Sequence, residues 1–296
     1  KALEPIKNSF NFIRFQDFEV NPKFEDVLKG IDIAQENNID IVISIGGGSV
    51  IDMAKLILAF IFPGQNHKAI IKGQENPIDP QIPHFSIPTT AGTGSESTHF
   101  AVVYHNKIKY SVAAPFLLPH SIILDGEMVM SNSSFQKANN GLDALAQAIE
   151  SHWSTGSSEE SRSYSRKAIP NLYKNLSKIV SGKAERKDFQ DYLFAANLAG
   201  RAINISKTTS PHAFSYAFTS KYGVPHGQAI WLTLPKIFEI HLNALRTDEL
   251  NVKDYDQFKD LINEIVDLLG ISKINLVKEL ETFILDLGLE CSMEKL

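Results

Sequence analysis

The sequence predicts an α/β half with a mostly parallel sheet, followed by an all-α half. Three observations predict it. Short β-branched runs alternate with helical spacing over residues 1–130, helical periodicity dominates residues 131–296, and a glycine-rich turn directly follows the most apolar strand. Strands alternating with helices imply a doubly wound sheet. The boundary between the two predicted domains is accordingly placed at residue 130.

Each element has its own justification. The chain opens in what reads as the middle of a helix, Ala2-Leu-Glu-Pro5, and without methionine, so a native N-terminal segment is expected to be missing. Asn11–Phe15 is a short apolar strand candidate. Lys23–Asn37 has helical spacing, with Val27, Leu28, Ile31 and Ala34 on one face. Ile39–Ile45 is mostly β-branched, which predicts a strand buried on both faces of a parallel sheet. Ser49–Phe60 reads as the following helix, and His84–Pro88 as another strand. Ala101–His105 and Lys109–Ala113 form a candidate hairpin, and Ser121–Asp125 a last buried strand. Helices are then predicted at Phe135–Trp153, Glu159–Ile179, Lys187–Ala202, His212–Lys221, Gln228–Leu242, Tyr255–Leu269 and Ile274–Leu287. There is no internal repeat and no low-complexity tract.

Bulk composition excludes several function classes. The chain has 296 residues, 43% hydrophobic and 21% charged, as in ordinary globular proteins. A net charge of −5 argues against a nucleic-acid or acidic-membrane partner, which needs a basic patch. No apolar run approaches the ~20 residues that span a bilayer. The single cysteine, Cys291, has no internal partner, and no signal-peptide pattern is present, so a cytoplasmic location is expected.

Two loops are suited to phosphate. Ile45-Gly-Gly-Gly-Ser49 follows a strand and opens a helix. Backbone N–H groups at a helix N-terminus attract phosphate, and glycine removes the Cβ that would block its approach. The spacing is not GxGxxG, and a tight βα turn without a ligand is the plain alternative. Thr89-Thr-Ala-Gly-Thr-Gly-Ser-Glu96 follows the next strand, with two glycines and four hydroxyl residues in eight positions. It reads either as a ribose or phosphate contact or as a solvent loop that caps a helix.

A third constellation suits a divalent metal. Asp143 and Gln147, four apart on an apolar helix, share one face. A carboxylate there is costly unless paired or metal-bound, although a helix-start carboxylate is also favoured by the macrodipole. His212 follows Pro211, with Ser210 as its candidate N-cap, and Tyr216 lies one turn on. His226 follows Pro225 at the next helix start. One carboxylate with two imidazoles suits Fe²⁺ or Zn²⁺. Of the nine histidines, only His99 and His152 lie near these segments as further candidates.

These residues carry a resemblance. Ser44-Ile-Gly-Gly-Gly-Ser-Val-Ile-Asp-Met-Ala-Lys55, Pro88-Thr-Thr-Ala-Gly-Thr-Gly-Ser-Glu96, the Asp143 helix and Pro225-His-Gly227 resemble the signatures of the iron-containing (group III) alcohol dehydrogenases. The resemblance covers nearly the whole chain. It implies a dehydroquinate synthase-like architecture, with an α/β NAD(P)-binding domain and a helical metal domain. It implies NAD(H) or NADP(H) as cofactor, Fe²⁺ or Zn²⁺ as metal, a small aldehyde or alcohol as substrate, and a homodimer. By the same resemblance Gly47, Gly48 and Ser49 cradle the pyrophosphate. Asp52, Thr89, Thr90 and Thr93 line the cofactor site, Lys109 approaches the ribose, and Asn21 lies near the adenine side. The metal ligands map onto Asp143, His212 and His226, with Gln147 in the fourth position.

Two positions depart from the family pattern. Histidine is usual where Gln147 stands, and a glutamine oxygen is a weaker, neutral ligand. Histidine is common where Tyr216 stands. Both residues are candidate catalytic groups, Gln147 as a weak ligand or hydrogen-bond donor and Tyr216 as a proton source with an ordinary pKa near ~10. The C-terminus is also short for the family. The segment 142–165 is similar to the phosphonoacetaldehyde reductase branch, which implies phosphonate recognition by cations near the cleft. Arg162, Arg201 and Lys207 are the candidates, although each reads more readily as a cation on a solvated face. The expected reaction is therefore reduction of a small aldehyde, phosphonoacetaldehyde in the narrowest form. The alternatives are a sugar-phosphate cyclase-like lyase and a degenerate, metal-free nucleotide binder.

Overall fold

The computed structural model describes residues 10–106, 108–248, 252 and 254–296. The expected helix at Ala2–Pro5 lies outside them. The first half is α/β. Helix α1 (Phe24–Glu36) leads to β1 (Val42–Gly46), α2 (Gly48–Phe60) and a short α3 (His67–Ile71). Strand β2 (His84–Pro88) follows, then a hairpin of β3 (Phe100–His105) and β4 (Ile108–Ala113), and β5 (Ser121–Ile122). Strands β1, β2 and β5 form a parallel sheet in that order, with Ile45 opposite Ile87 and Ser86 opposite Ile122. The hairpin is antiparallel, with Phe100 opposite Ala113, as its alternation predicts.

The second half is helical: α4 (Glu127–Met130), α5 (Ser134–Trp153), α6 (Glu159–Val180), α7 (Arg186–Ser206), α8 (Ser210–Tyr222), α9 (His226–Trp231), α10 (Leu234–Asn243), α11 (Tyr255–Leu269) and α12 (Leu276–Asp286). Helix α5 starts at a capping box, Ser133 with Gln136, and is buried from Lys137 almost to its end because α6, α7 and α9 pack around it. A helix enclosed on all sides must be apolar all round. Among the polar residues buried along it, Asp143, Gln147 and Glu150 therefore need a chemical reason. No helix among the described residues is long and apolar enough to cross a membrane.

Several expected elements differ. Asn11–Phe15 is irregular rather than a strand. No strand pairs with it among the described residues, and Phe15 instead meets Phe18 in a tilted ring pair and packs against the N-terminal core. The strand expected at Ile39–Ile45 is shorter and is not buried on both faces: Ile41, Ile43 and Ile45 are each more than 40% exposed. Helix α2 covers only the Val42–Ser44–Gly46 face, and β1 is an edge strand here. A β-branched run thus reported strand propensity, not double burial. Ser121–Asp125 pairs only as far as Ile122. Gln228–Leu242 is two helices, because Pro235 cannot continue α9 and instead begins α10.

Candidate active site

A cavity of about 670 Å³ opens between the two halves. Its α/β wall carries Asn21, Gly48, Ser49, Asp52, Thr93 and Lys109. Its helical wall carries Asp143, Gln147, Lys207, His212, Tyr216 and His226. Gly47, Thr89 and Thr90 lie just outside the lining, at the end of the parallel strands.

The α/β wall is built by close approach of two loops. A Cβ on Gly48 would lie 2.6 Å from Thr93 Oγ1, so glycine lets the second loop press onto the start of α2. Gly47 is similarly placed against Thr90, 3.1 Å from its hydroxyl. Gly47 caps α2 without a side chain, which leaves the first N–H groups of that helix to face the cavity. The Asn21 backbone N–H donates to Ser49 Oγ at 3.0 Å from a left-handed conformation, φ 61°. Asp52 accepts from Ser95 Oγ at 2.5 Å and from the Val102 N–H at 3.0 Å.

A buried lysine locks this wall. Lys55, fully buried on α2, donates to the carbonyls of Ser95, Thr98 and Phe100 at 2.5, 2.7 and 3.0 Å. Burial pushes its ammonium down to about 8, against the pull of Asp52 and Glu96. One ammonium thus satisfies two carbonyls of the loop between β2 and β3 and the first carbonyl of β3.

The helical wall holds the metal-type cluster. One ligand atom each from Asp143, His212 and His226 lie within 4.8 Å of one another. His212 Nδ1 is 2.5 Å from Glu150 Oε1, and its Nε2 is 3.3 Å from Asp143 Oδ1. Ser215 Oγ donates to His212 O at 2.6 Å and lies 3.3 Å from His226 Nδ1. With its proton committed to the carbonyl, Ser215 accepts from Nδ1–H of His226. That assigns Nε2 of His226 as the free lone pair. Glu150 makes the same assignment for His212. Both imidazoles are therefore oriented as ligands, each held from behind by a hydrogen bond.

Electrostatics follow the geometry. Burial works against the His212 imidazolium, but Glu150 and Asp143 outweigh it and raise the group to about 9. Burial lowers His226 to about 4. Burial also opposes the Asp143 carboxylate, yet the hydrogen bond from His212 and the neighbouring imidazoles hold it below its usual value. A divalent ion fits this donor set, and it would replace the proton that His212 carries without it.

Gln147 supports the fit. Its Nε2 donates to Asp143 Oδ1 at 3.0 Å and to Thr93 O at 3.3 Å, which leaves Oε1 buried without a partner. An orphaned buried carbonyl costs free energy unless something accepts its lone pairs, and a cation held by the three neighbours would. Replacement by histidine, Gln147→His, substitutes a stronger neutral ligand and is expected to raise the metal bound per chain after dialysis against a weak chelator. Unchanged metal content would show that position 147 does not contact the ion.

The remaining candidates separate cleanly. Tyr216 stacks on His226 with rings 6.1 Å apart and 11° from parallel, and the Lys109 ammonium sits 3.7 Å from its ring centroid. Burial and the two nearby carboxylates hold the phenol above its usual value, so it is a proton donor and not a base at neutral pH. His99 bonds Asn204 and His152 bonds Glu264, and neither belongs to the cluster. Arg162 is engaged by Glu159 and Ser157, and Arg201 by Asn197. Neither lines the cavity, whereas Lys207 does.

Glu150 was not anticipated. It is fully buried and accepts from Thr209 N and Oγ1 at 2.6 and 2.9 Å as well as facing His212. It thereby ties the start of α8 to α5. Its spacing of seven from Asp143, on the same helix face, was the available signal.

Comparison with known proteins decides the family. The iron-containing alcohol dehydrogenase model matches residues 1–126, and the C-terminal model of the Fe-containing alcohol dehydrogenase family matches residues 137–295. The chain belongs to the iron-containing alcohol dehydrogenase family. It is 29% identical to alcohol dehydrogenase 4 of Saccharomyces cerevisiae over 246 residues, covering 82% of this chain and 64% of the relative. It is 28% identical to phosphonoacetaldehyde reductase of Streptomyces viridochromogenes over 258 residues, covering 84% and 65%. The chain thus spans just under two thirds of these relatives' length. The crystal structure of sulfoacetaldehyde reductase from Bifidobacterium kashiwanohense in complex with NAD+ superposes with a TM-score of 0.76 at 28% identity, covering 97% of this chain and 80% of that one.

Proposed function

We propose that this family member reduces a small aldehyde to a primary alcohol with NADH or NADPH, and that its narrowest substrate is phosphonoacetaldehyde. One observation carries the reading: the Asp143, His212 and His226 cluster shares a cavity with the glycine turn at Gly48 and Ser49 and with Thr93. A metal-type site and a phosphate-type turn that face one space suit hydride transfer to a polarised carbonyl. A bound Fe²⁺ or Zn²⁺ would supply that polarisation, and a reduced nicotinamide would supply the hydride.

The chain's own residues do the rest. Gly47, Gly48 and Ser49 present N–H groups to the pyrophosphate. Thr89, Thr90 and Thr93 back the cofactor, while Asp52 and Lys55 hold their loop in place. Asn21 borders the adenine side, and Lys109 reaches toward the ribose. Asp143, His212 and His226 hold the ion, with Gln147 Oε1 as a weak fourth ligand. Tyr216, protonated at neutral pH and on the lining of the same cavity, would give the alkoxide its proton. The similarity to proteins named for phosphonoacetaldehyde and sulfoacetaldehyde supports a small aldehyde with an anionic end. A cytoplasmic setting accords with the single, unpaired Cys291.

The test is an aldehyde panel, phosphonoacetaldehyde included, with NADH and NADPH after metal analysis of the purified protein. The expected result is loss of reduced-nicotinamide absorbance that requires both aldehyde and metal. Bound NADH with no oxidation under added Fe²⁺ or Zn²⁺ would make the protein a nucleotide binder. Product release without net oxidation of the cofactor would make it a cyclising lyase.

A further inference from the structure

We infer that Lys207 is the receptor for the anionic end of the substrate, an inference that rests on the aldehyde-reductase reading above. The first observation is backbone strain. Lys207 caps α7 with φ 65° and ψ 175°, a region that is essentially reserved for glycine. Its ψ takes it out of the ordinary left-handed well, where a positive φ is less costly.

The surroundings enforce this conformation. The Lys207 N–H donates to Ile203 O at 3.0 Å, and the Ser206 hydroxyl lies 3.0 Å from both Ala202 O and Lys207 O, which share its one proton. Ser154 Oγ holds the Ser206 carbonyl at 2.8 Å. Gly156 leaves room for that carbonyl: a Cβ there would come within 2.9 Å of it. A glycine at 207 would make the same turn without strain. A lysine kept where the backbone asks for glycine points to a task for the side chain.

The side chain faces the right place. Lys207 lines the cavity together with His212 and Tyr216. Its ammonium sits 4.4 Å from the Phe100 ring centroid and has no carboxylate or hydrogen-bond partner among the described residues. An aromatic face steadies an ammonium without neutralising it. Arg162 and Arg201 are bonded away from the cavity, and Lys55 is sealed under the Ser95 loop. Of the two lysines on the lining among the described residues, Lys109 lies on Tyr216 much as Lys207 lies on Phe100, but the proposed function gives Lys109 to the cofactor ribose. That leaves Lys207 to face the substrate. Thr208, next in the chain and also on the lining, adds a hydroxyl beside it. The ligand class is a two-carbon aldehyde that carries a tetrahedral oxyanion, phosphonate or sulfonate, with its carbonyl toward the Asp143 cluster and its anion toward Lys207.

Wild type, Lys207→Met and Lys207→Gly separate the outcomes. Both variants are expected to raise KM for phosphonoacetaldehyde or sulfoacetaldehyde by about 10–100-fold, the value of one charge-assisted hydrogen bond. KM for propionaldehyde, which has no anion, should move less than about threefold on the same reasoning. Whichever anionic aldehyde shows the larger split identifies the head group. Lys207→Gly should also melt about 2–4 °C higher, because it removes the strain. Equal losses for charged and uncharged aldehydes would overturn the proposal, as would weaker NADH or NADPH binding in either variant. If wild type turns over no aldehyde, the reductase reading fails by itself. The anion site is still decided by titrating the NADH-loaded protein with ethylphosphonate, where weaker binding by Lys207→Gly supports it and equal binding overturns it.

Discussion

Replacing Glu150 with alanine is expected to destabilise the protein by about 3–5 kcal/mol, the usual cost of removing one partner from a buried ion pair. Glu150 is fully buried, and its two oxygens are shared among His212 Nδ1, Thr209 N and Thr209 Oγ1. Alanine leaves the histidine and the first N–H of the α8 cap facing a void. Glu150→Gln is the more informative change, because it keeps the volume and removes only the charge. A glutamine oxygen can still accept from Nδ1–H, but it no longer strengthens the imidazole as a ligand. Metal affinity is then expected to fall by about 10–100-fold, the usual consequence of losing the carboxylate behind a ligating histidine. Chelator competition against the purified protein measures this without reference to turnover, and chemical denaturation measures the alanine variant. A Glu150→Gln protein that holds metal as tightly as wild type would leave Glu150 a purely structural tie between α5 and α8.

The residues that sequence patterning located share one property: their chemistry and their local geometry are encoded next to each other. Pro211-His212 and Pro225-His226 announce a helix start and a ligand within two residues, and the structure brings both histidines to Asp143. The glycine turn before α2 was legible for the same reason. What was missed depends on partners far along the chain. Glu150 matters because Thr209 and His212 come to it, some sixty residues away. Lys55 reads as one cation interrupting an apolar helix, and only the fold shows the three carbonyls it serves. The strain at Lys207 is a backbone angle, and nothing in Ile205-Ser-Lys-Thr208 encodes it. Errors in the fold have the same origin. Ile43 and Ile45 have strand propensity wherever they sit, but whether a helix covers them is decided elsewhere.

Gly227→Ala is expected to be the most damaging single methyl added near the site. A Cβ at 227 would lie 1.9 Å from the Asn139 carbonyl oxygen, and that neighbour is backbone. The oxygen cannot rotate away as a side chain can, because Asn139 sits inside α5, which α6, α7 and α9 enclose. The strain must be relieved by moving the start of α9. That start is itself pinned: the Gln228 N–H donates to Asn139 Oδ1 at 3.2 Å, and Trp231 Nε1 donates to Leu142 O at 2.8 Å. Breaking these contacts and overpacking the junction should cost about 1–3 kcal/mol. The larger effect falls on His226, the residue directly before the glycine. Displacing it by even a fraction of an ångström takes one of three ligands out of position, so metal retention should fall more steeply than stability. Gly182→Ala is the control. It also adds a methyl to a glycine, at φ 74°, but into open space. It should show the strain of a left-handed residue in its melting temperature and none in its metal content. If both variants lose metal alike, the loss reports general destabilisation, and the packing of α9 on α5 is not what places His226.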